Sequence, residues 1–305
     1  MTKVLITGVG GFIASHVARR FLAEGYSVIG VDDLSGGIRE NIPDGVEFIE
    51  GDLKDPATIK RLPTGCRQIL HLAGQSSGEI SFDDPVADLE MNVTSTLRLI
   101  DYGIQNCAER IIYASSMSVY GAVPDAPTSE SHHPKPLSCY GVGKLSSENY
   151  LRIYQDKLPF VAMRMFNVYG PGQDLKNLRQ GMVSIYLAQA LVSGRIEVKG
   201  GLERFRDFIF IDDVVEAWYR ASTRSEPINN VINIGTGIRT SVSELLKHIH
   251  DLLPNSSSFI SDSTMGDQSG IYSNTATMSR LLGFEATIRL ERGLQLFVNE
   301  AKGKV

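Results

Sequence analysis

The chain has 305 residues, 42% of them hydrophobic, enough to bury one large core or to divide into a large and a small domain. Thirty Lys and Arg against 35 Asp and Glu give a formal charge of −5, so there is no basic excess to neutralise a nucleic-acid backbone or an anionic membrane, and any bound phosphate must be met by local donors. No apolar run approaches the ~20 residues that span a bilayer, Met1 leads straight into a strand-like segment, and Cys66, Cys107 and Cys139 show neither CxxC nor zinc-like spacing. A cytoplasmic protein with no nucleic acid, membrane or metal partner is expected.

In chain order, short apolar runs at 4–7, 28–31, 48–50, 69–72 and 111–114 alternate with amphipathic stretches at 12–24 and 89–102. Continuous apolar strands separated by helices signify a parallel sheet covered on both faces, a doubly wound α/β domain. A helix over about 140–156 and a strand at 160–165 follow, and the pattern then loosens around Gly170, Pro171 and Gly172. Later segments mix helices (183–191, 214–221, 242–252, 290–301) with short strands (208–211, 231–234), as in a smaller carboxy-terminal α/β lobe; 255–258 reads as a solvated loop. The expected division is 1–166 for the sheet domain, with about 205–235 returning to it, and 167–305 mainly for the second lobe.

Directly after the first strand, TGVGGFIASH gives a turn of the form G-x-x-G-x-x-A in which Gly8 and Gly11 tighten the chain and Phe12 and Ile13 open the helix. Such a turn aims helix amino-terminal N–H groups at a pyrophosphate, and the small third residue, Ala14, lets helix and strand pack closely. The second strand ends in Asp32 and Asp33, where a carboxylate can accept hydrogen bonds from an adenosine ribose and would repel a 2′-phosphate. NAD is therefore the expected cofactor. Asp52 and Leu53, in the GDL segment after the third strand, are candidate adenine neighbours.

With these motifs stand HLAG at His71, NVTSTL at Asn92, YASSMSVYG at Tyr113, YGVGK at Tyr140, RMFNVYGPGQ at Arg164, RDFIFIDDV at Arg206 and NIGTG at Asn233. Ordered in this way over nearly the whole chain, they resemble the extended short-chain dehydrogenase/reductase family, and within it the nucleotide-sugar epimerases and dehydratases. The resemblance implies a Rossmann domain with a smaller substrate lobe. It places Leu72, Ala73 and Gln75 along the cofactor, Asn92 behind it near a catalytic lysine, and Phe166 at the nicotinamide end. It also implies that two helices, 88–103 and 140–156, pair with those of a second copy as a homodimer, although their apolar stripes suit packing on the sheet equally well.

Tyr140 and Lys144, four apart on a predicted helix, share a face, and Ser116 closes a strand whose carboxyl end opens onto the same cleft. A tyrosine is a poor base at neutral pH unless a neighbouring cation stabilises its phenolate. Lys144 supplies that cation, Tyr140 exchanges the proton of a sugar hydroxyl, and Ser116 hydrogen-bonds its oxygen. In similar dehydratases an Asp-Glu pair beside the serine performs elimination, and in decarboxylases a Glu; here Met117 and Ser118 stand there. C4 epimerisation of a nucleotide sugar, UDP-linked glucose or galactose or an N-acetyl or uronate derivative, is the leading expectation. A lyase that draws its acid and base from elsewhere is the alternative, followed by a non-catalytic NAD-sensing protein.

On the substrate side, relatives use the counterparts of Asn167 and Arg206 for the diphosphate, and those of Val183, Glu197 and Lys199 near the base. A surface ion pair of Arg206 with Asp207 or Glu203 is the competing reading. Relatives also carry a second phosphate-binding arginine two residues before a Gly-Asp pair, whereas here Thr264 precedes Gly266 and Asp267. Asp267 is kept as a candidate substrate residue, and Arg204, Arg179 and Arg239 are the candidates to replace the missing charge. Ile271 lies near the position that in relatives limits the C2 substituent and leaves its size open.

Overall fold

The computed structural model describes residues 2–225, 228–262 and 269–303. The first half winds through β1 (Lys3–Thr7), α1 (Phe12–Ala23), β2 (Ser27–Asp32), β3 (Glu47–Glu50), α2 (Pro56–Arg61) and β4 (Gln68–His71). It continues with α3 (Pro85–Leu89), α4 (Ser95–Gln105), β5 (Arg110–Ser116), α5 (Cys139–Tyr154) and β6 (Phe160–Met165). The remaining elements are β7 (Asn167–Tyr169), α6 (Met182–Val192), β8 (Arg195–Lys199), β9 (Phe205–Arg206), β10 (Phe208–Phe210), α7 (Ile211–Thr223), β11 (Asn230–Ile234), β12 (Thr240–Ser241), α8 (Val242–Leu252), β13 (Ser257–Ser261), α9 (Ala276–Leu282) and α10 (Leu290–Lys302).

Seven strands form one parallel sheet in the order β11-β6-β5-β4-β1-β2-β3. This is a Rossmann sheet: the winding reverses between β1 and β4, and a crevice opens there at the carboxyl ends of the strands. Because both faces of the central strands are covered, most of their residues are apolar, and the polar ones they hold, such as His71 and Arg164, are buried with partners. Val4, Ile6 and Leu70 pack with Val17 and Phe21 of α1 and Trp218 of α7 on one side, and Leu5, Ile69 and Ile111 pack with Leu99 of α4 and Leu151 of α5 on the other. Three further two-stranded pairings join β7 with β10, β9 with β12 and β8 with β13. Among the described residues no helix is long and apolar enough to cross a membrane.

Two local expectations are corrected. The stretch read as one helix over 88–103 is interrupted by a π-helical turn, Glu90–Thr94, between α3 and α4. There the Asn92 carbonyl accepts from the Thr96 and Ser147 hydroxyls, 2.7 and 2.8 Å away, competition for a backbone acceptor that periodicity does not register. The 255–258 run is not wholly loop, because β13 begins at Ser257 and pairs in parallel with β8, Ser257 opposite Arg195. Its serines and exposed face give no alternation; the neighbouring strand decides the conformation.

Candidate active site

A cavity of about 710 Å³ lies at the reversal of the winding. Gly8 shapes its floor: φ is +72°, and a Cβ there would stand 2.8 Å from the Ala73 backbone, so the β1–α1 turn and the β4 loop approach closely only through glycine. No side chain caps α1, whose first turn holds no acidic residue, so the N–H groups around Phe12 and Ile13 open into the cavity. Asp32, at the end of β2, accepts from Gly10 N (2.9 Å) and Leu34 N (2.8 Å), which fixes its carboxylate at the cavity wall. Gly11, Asp33, Asp52, Leu53, Leu72, Ala73, Gln75, Phe166 and Val183 line the same cavity.

Ser116, Tyr140 and Lys144 meet on its inner wall. Ser116 ends β5 and caps the short turn Met117–Val119, its Oγ accepting from Ser118 N at 3.1 Å. Helix α5 lies directly on that turn because residue 141 is glycine: a Cβ there would be 2.6 Å from the Ser118 carbonyl oxygen. The preceding residue, Tyr140, is thereby held beside Ser116. One helical turn on, Lys144 Nζ stands 5.0 Å from the Tyr113 ring centroid and 5.5 Å from that of Tyr140. Burial pushes the Tyr140 phenol up to about 12, with the Ser116 hydroxyl working against it, and burial pulls the Lys144 ammonium down to about 8, with Asp88 opposing.

Asn92 does not face the cavity. It stands behind it, nearly inaccessible, its Nδ2 on Asp88 at 3.2 Å; a Cβ placed on Gly74 would fall 2.5 Å from Asn92 Oδ1 and 3.6 Å from Lys144 Nζ. Nearby, His71 is fully buried with both ring nitrogens engaged, Nδ1 with Thr7 (2.8 Å) and Nε2 with Thr96 (3.0 Å). Burial drives it down to about 3, which makes it a neutral core histidine.

A second cavity of about 420 Å³ shares Met117, Ser118 and Asn167 with the first and extends toward Glu197, Lys199 and Arg206. Asn167 donates to the Asp207 carbonyl (3.1 Å). Arg206 is 3% exposed, and the Asp207 carboxylate is occupied by Thr236, Gly237 and Ser273, so the surface pair with Asp207 is not formed. Thr264 and Asp267 lie outside the described residues. Ile271 is buried against Val119, Tyr120 and Phe166.

The model of the NAD dependent epimerase/dehydratase family matches residues 4–235. This chain belongs to that family. It is 38% identical over 253 residues to a UDP-glucose 4-epimerase of Mycolicibacterium smegmatis, with 80% of each chain covered. It superposes on the crystal structure of the Thermotoga maritima UDP-glucose 4-epimerase with UDP-glucose at a TM-score of 0.94, with 32% identity and 99% of both chains covered. For the Thermus thermophilus UDP-glucose 4-epimerase complexed with NAD the TM-score is 0.91, with 30% identity over the whole of both chains.

As a member of the NAD dependent epimerase/dehydratase family, the chain needs a seat for a dinucleotide, and its residues fit one. The uncapped α1 terminus suits a pyrophosphate, the fixed Asp32 carboxylate suits ribose hydroxyls, and Lys144 reaches the inner end of the same cavity.

Several residues of the site left no mark in the sequence reading. Asp88, 2% exposed, accepts from Gln75 (2.9 Å) and Asn92 and is the carboxylate that acts on Lys144. Its helical spacing to Asn92 was the sole local signal. Ser76, Ser77 and Gln180 join two loops over the cleft, with Gln180 Nε2 2.6 Å from Ser76 Oγ and Ser77 Oγ 3.0 Å from the carbonyl of Arg179, which the sequence had offered only as a phosphate ligand. Residues about a hundred positions apart give no spacing to read.

Proposed function

We propose that this protein interconverts the C4 epimers of a UDP-linked hexose, UDP-glucose and UDP-galactose or their N-acetyl or uronate derivatives. One observation carries the reading: Ser116, Tyr140 and Lys144 converge where the dinucleotide-sized cavity opens into a second one containing Lys199, Arg204 and Arg206, while Met117 and Ser118 bring no carboxylate to that junction. The named activities of the similar epimerases support it. Tyr140 takes the proton from the C4 hydroxyl and later returns it, Ser116 hydrogen-bonds the same oxygen, and Lys144 stabilises the phenolate. NAD, when bound, supplies the acceptor and then the donor of the C4 hydride. The small side chains at Ser76, Gly78 and Ser118 leave the 4-keto sugar space to turn, so that hydride returns to its other face. Met117 and Ser118 supply neither acid nor base, which argues against loss of water or carbon dioxide.

Incubation with UDP-glucose, UDP-N-acetylglucosamine and UDP-glucuronate tests this: NMR should show the C4 epimer at unchanged mass. A product lighter by water or carbon dioxide makes the protein a lyase, and tight NAD binding with no product from any nucleotide sugar favours the sensing role.

The proposal extends to assembly. Val86 and Leu89 on α3 and Val142, Tyr150 and Ile153 on α5 are exposed apolar side chains on helices that lie against each other, and we assign this face to a second copy of the chain. We further divide the chain into an NAD-binding unit, 1–166 with about 205–235, and a nucleotide-sugar lobe in the rest of 167–305. Three cysteines recorded as free thiols suit a cytoplasmic setting.

A further inference from the structure

Two loops that meet only in the folded chain close over the junction of the two cavities. One covers 75–83, after β4; the other covers 170–181, between β7 and α6, and holds turns but no helix or strand. Ser76, Gly78, Gln180 and Gly181 line both cavities, so the loops pass where the first opens into the second. The Arg179 guanidinium, offered by the sequence as a phosphate ligand, turns to the facing loop instead, with Nε 3.1 Å from Glu79 and Nη1 2.7 Å from Asp83. The Arg179 carbonyl accepts from Ser77 Oγ at 3.0 Å, where Ser77 is 4% exposed, and Gln180 Nε2 donates to Ser76 Oγ at 2.6 Å. The bond from Arg179 holds the Asp83 carboxyl below its usual range. Gly172 and Gly181, with φ of +87° and +85°, give the longer loop a hinge near each end.

Resting on the C4-epimerase reading, we propose that this strap retains the 4-keto sugar while it turns between the two hydride transfers, and that Arg179 and Asp83 are its fastener.

The need follows from the chemistry. C4 gives its hydride to NAD and its hydroxyl proton to Tyr140, so a neutral ketone and a reduced dinucleotide share the site until the hydride returns. To present its other face the sugar must give up its contacts with Ser116 and Tyr140, and those contacts cannot also confine it. A bridge between protein groups stays closed while they loosen. A ketone that escapes leaves the reduced dinucleotide behind, and that molecule stops turning over because it has no hydride acceptor left.

The test uses the full chain with NAD and whichever UDP-hexose it epimerises. Small molecules are filtered from the protein into borodeuteride, which marks an escaped ketone with one deuterium at C4, and the near-ultraviolet absorbance of reduced nicotinamide counts the molecules left behind. Arg179→Gln should release about 2- to 30-fold more ketone per epimer formed, the range for losing two exposed ion pairs, with reduced nicotinamide growing in step. Asp83→Asn should move the same way by a smaller factor and gives the answer if the glutamine variant does not fold; Arg179→Lys, which keeps the charge, should fall between wild type and Arg179→Gln. Salt at about 0.5 M should raise release by the wild type and hardly change that of Arg179→Gln. Amide hydrogen exchange over 75–83 and 173–181, with no sugar present, should quicken in Arg179→Gln and Asp83→Asn, which reads strap opening independently of turnover. Unchanged exchange overturns the fastener, and quicker exchange without extra ketone overturns the retaining role. A wild type that forms no C4 epimer from any UDP-hexose sinks the epimerase reading and the retaining role with it, whereas epimer formation with an unaltered ketone ratio in both variants sinks the strap alone.

Discussion

Lys144 Nζ lies 5.5 Å from the centre of the Tyr140 ring, and burial drives the two groups' pKa values apart, the phenol up to about 12 and the ammonium down to about 8. A phenol at 12 is no base at neutral pH, so its work depends on positive charge beside it. Removing the Lys144 charge disfavours the phenolate, raises the Tyr140 pKa further and should move the acid limb of kcat/KM to higher pH in Lys144→Met. Tyr140→Phe should retain the dinucleotide and lose about 10²- to 10⁴-fold in turnover. Wild-type turnover in that variant removes Tyr140 from the chemistry.

Asp88 raises the Lys144 pKa against the burial that lowers it. With Asp88→Asn that support is gone, and Lys144 should lose its proton at lower pH. The alkaline limb of the pH–rate profile is then expected to shift downward, and the acid limb, which reports Tyr140, should also move down, because the Asp88 charge that raises the Tyr140 pKa is gone. An alkaline limb that stays put would mean that Lys144 does not control it.

Asp32 is positioned by two backbone N–H groups, one on each carboxylate oxygen, so Asp32→Asn removes the charge and also one of those two hydrogen bonds. Loss of a charged hydrogen bond to the ribose should weaken NAD about 10- to 100-fold. NADP should gain relative to NAD, since the repulsive carboxylate is removed. Parallel titrations with the two cofactors measure the ratio; an unaltered preference shows that selectivity lies elsewhere.

Glu148 of α5 and Arg164 of β6 form a buried pair at 2.6 Å beneath Ser116, joined by Ser115, whose hydroxyl donates to Glu148 at 2.5 Å. Glu148→Gln strands the guanidinium in the core and should cost about 3–5 kcal/mol. Chemical denaturation gives the value directly. A loss below about 1 kcal/mol, typical of solvated pairs, contradicts the buried geometry.

Ile153, 71% exposed on α5, sits on the face assigned to a second copy. Ile153→Glu should convert a dimer into a monomer in light scattering at equal concentration, because a charge replaces apolar contact area. A wild-type chain that already scatters as a monomer would leave that face without its partner.

Much of the fold was legible in the sequence. Buried parallel strands must be apolar on both faces, so 4–7, 28–31 and 160–165 identified themselves, and the glycine turn followed by Asp32 marked the order in which they begin. Tyr140 and Lys144 could be read as neighbours because four residues make one helical turn, a local relation. What depended on segments distant in sequence was not legible. The π turn at Asn92 arises from Ser147, 55 residues away, competing for its carbonyl; Asp88 becomes the partner of Lys144 only when α3 and α5 pack; and β13 is a strand because β8 lies beside it. Charge and residue type are written in the chain, but which charges face one cavity is decided by the packing of elements that share no period in the sequence.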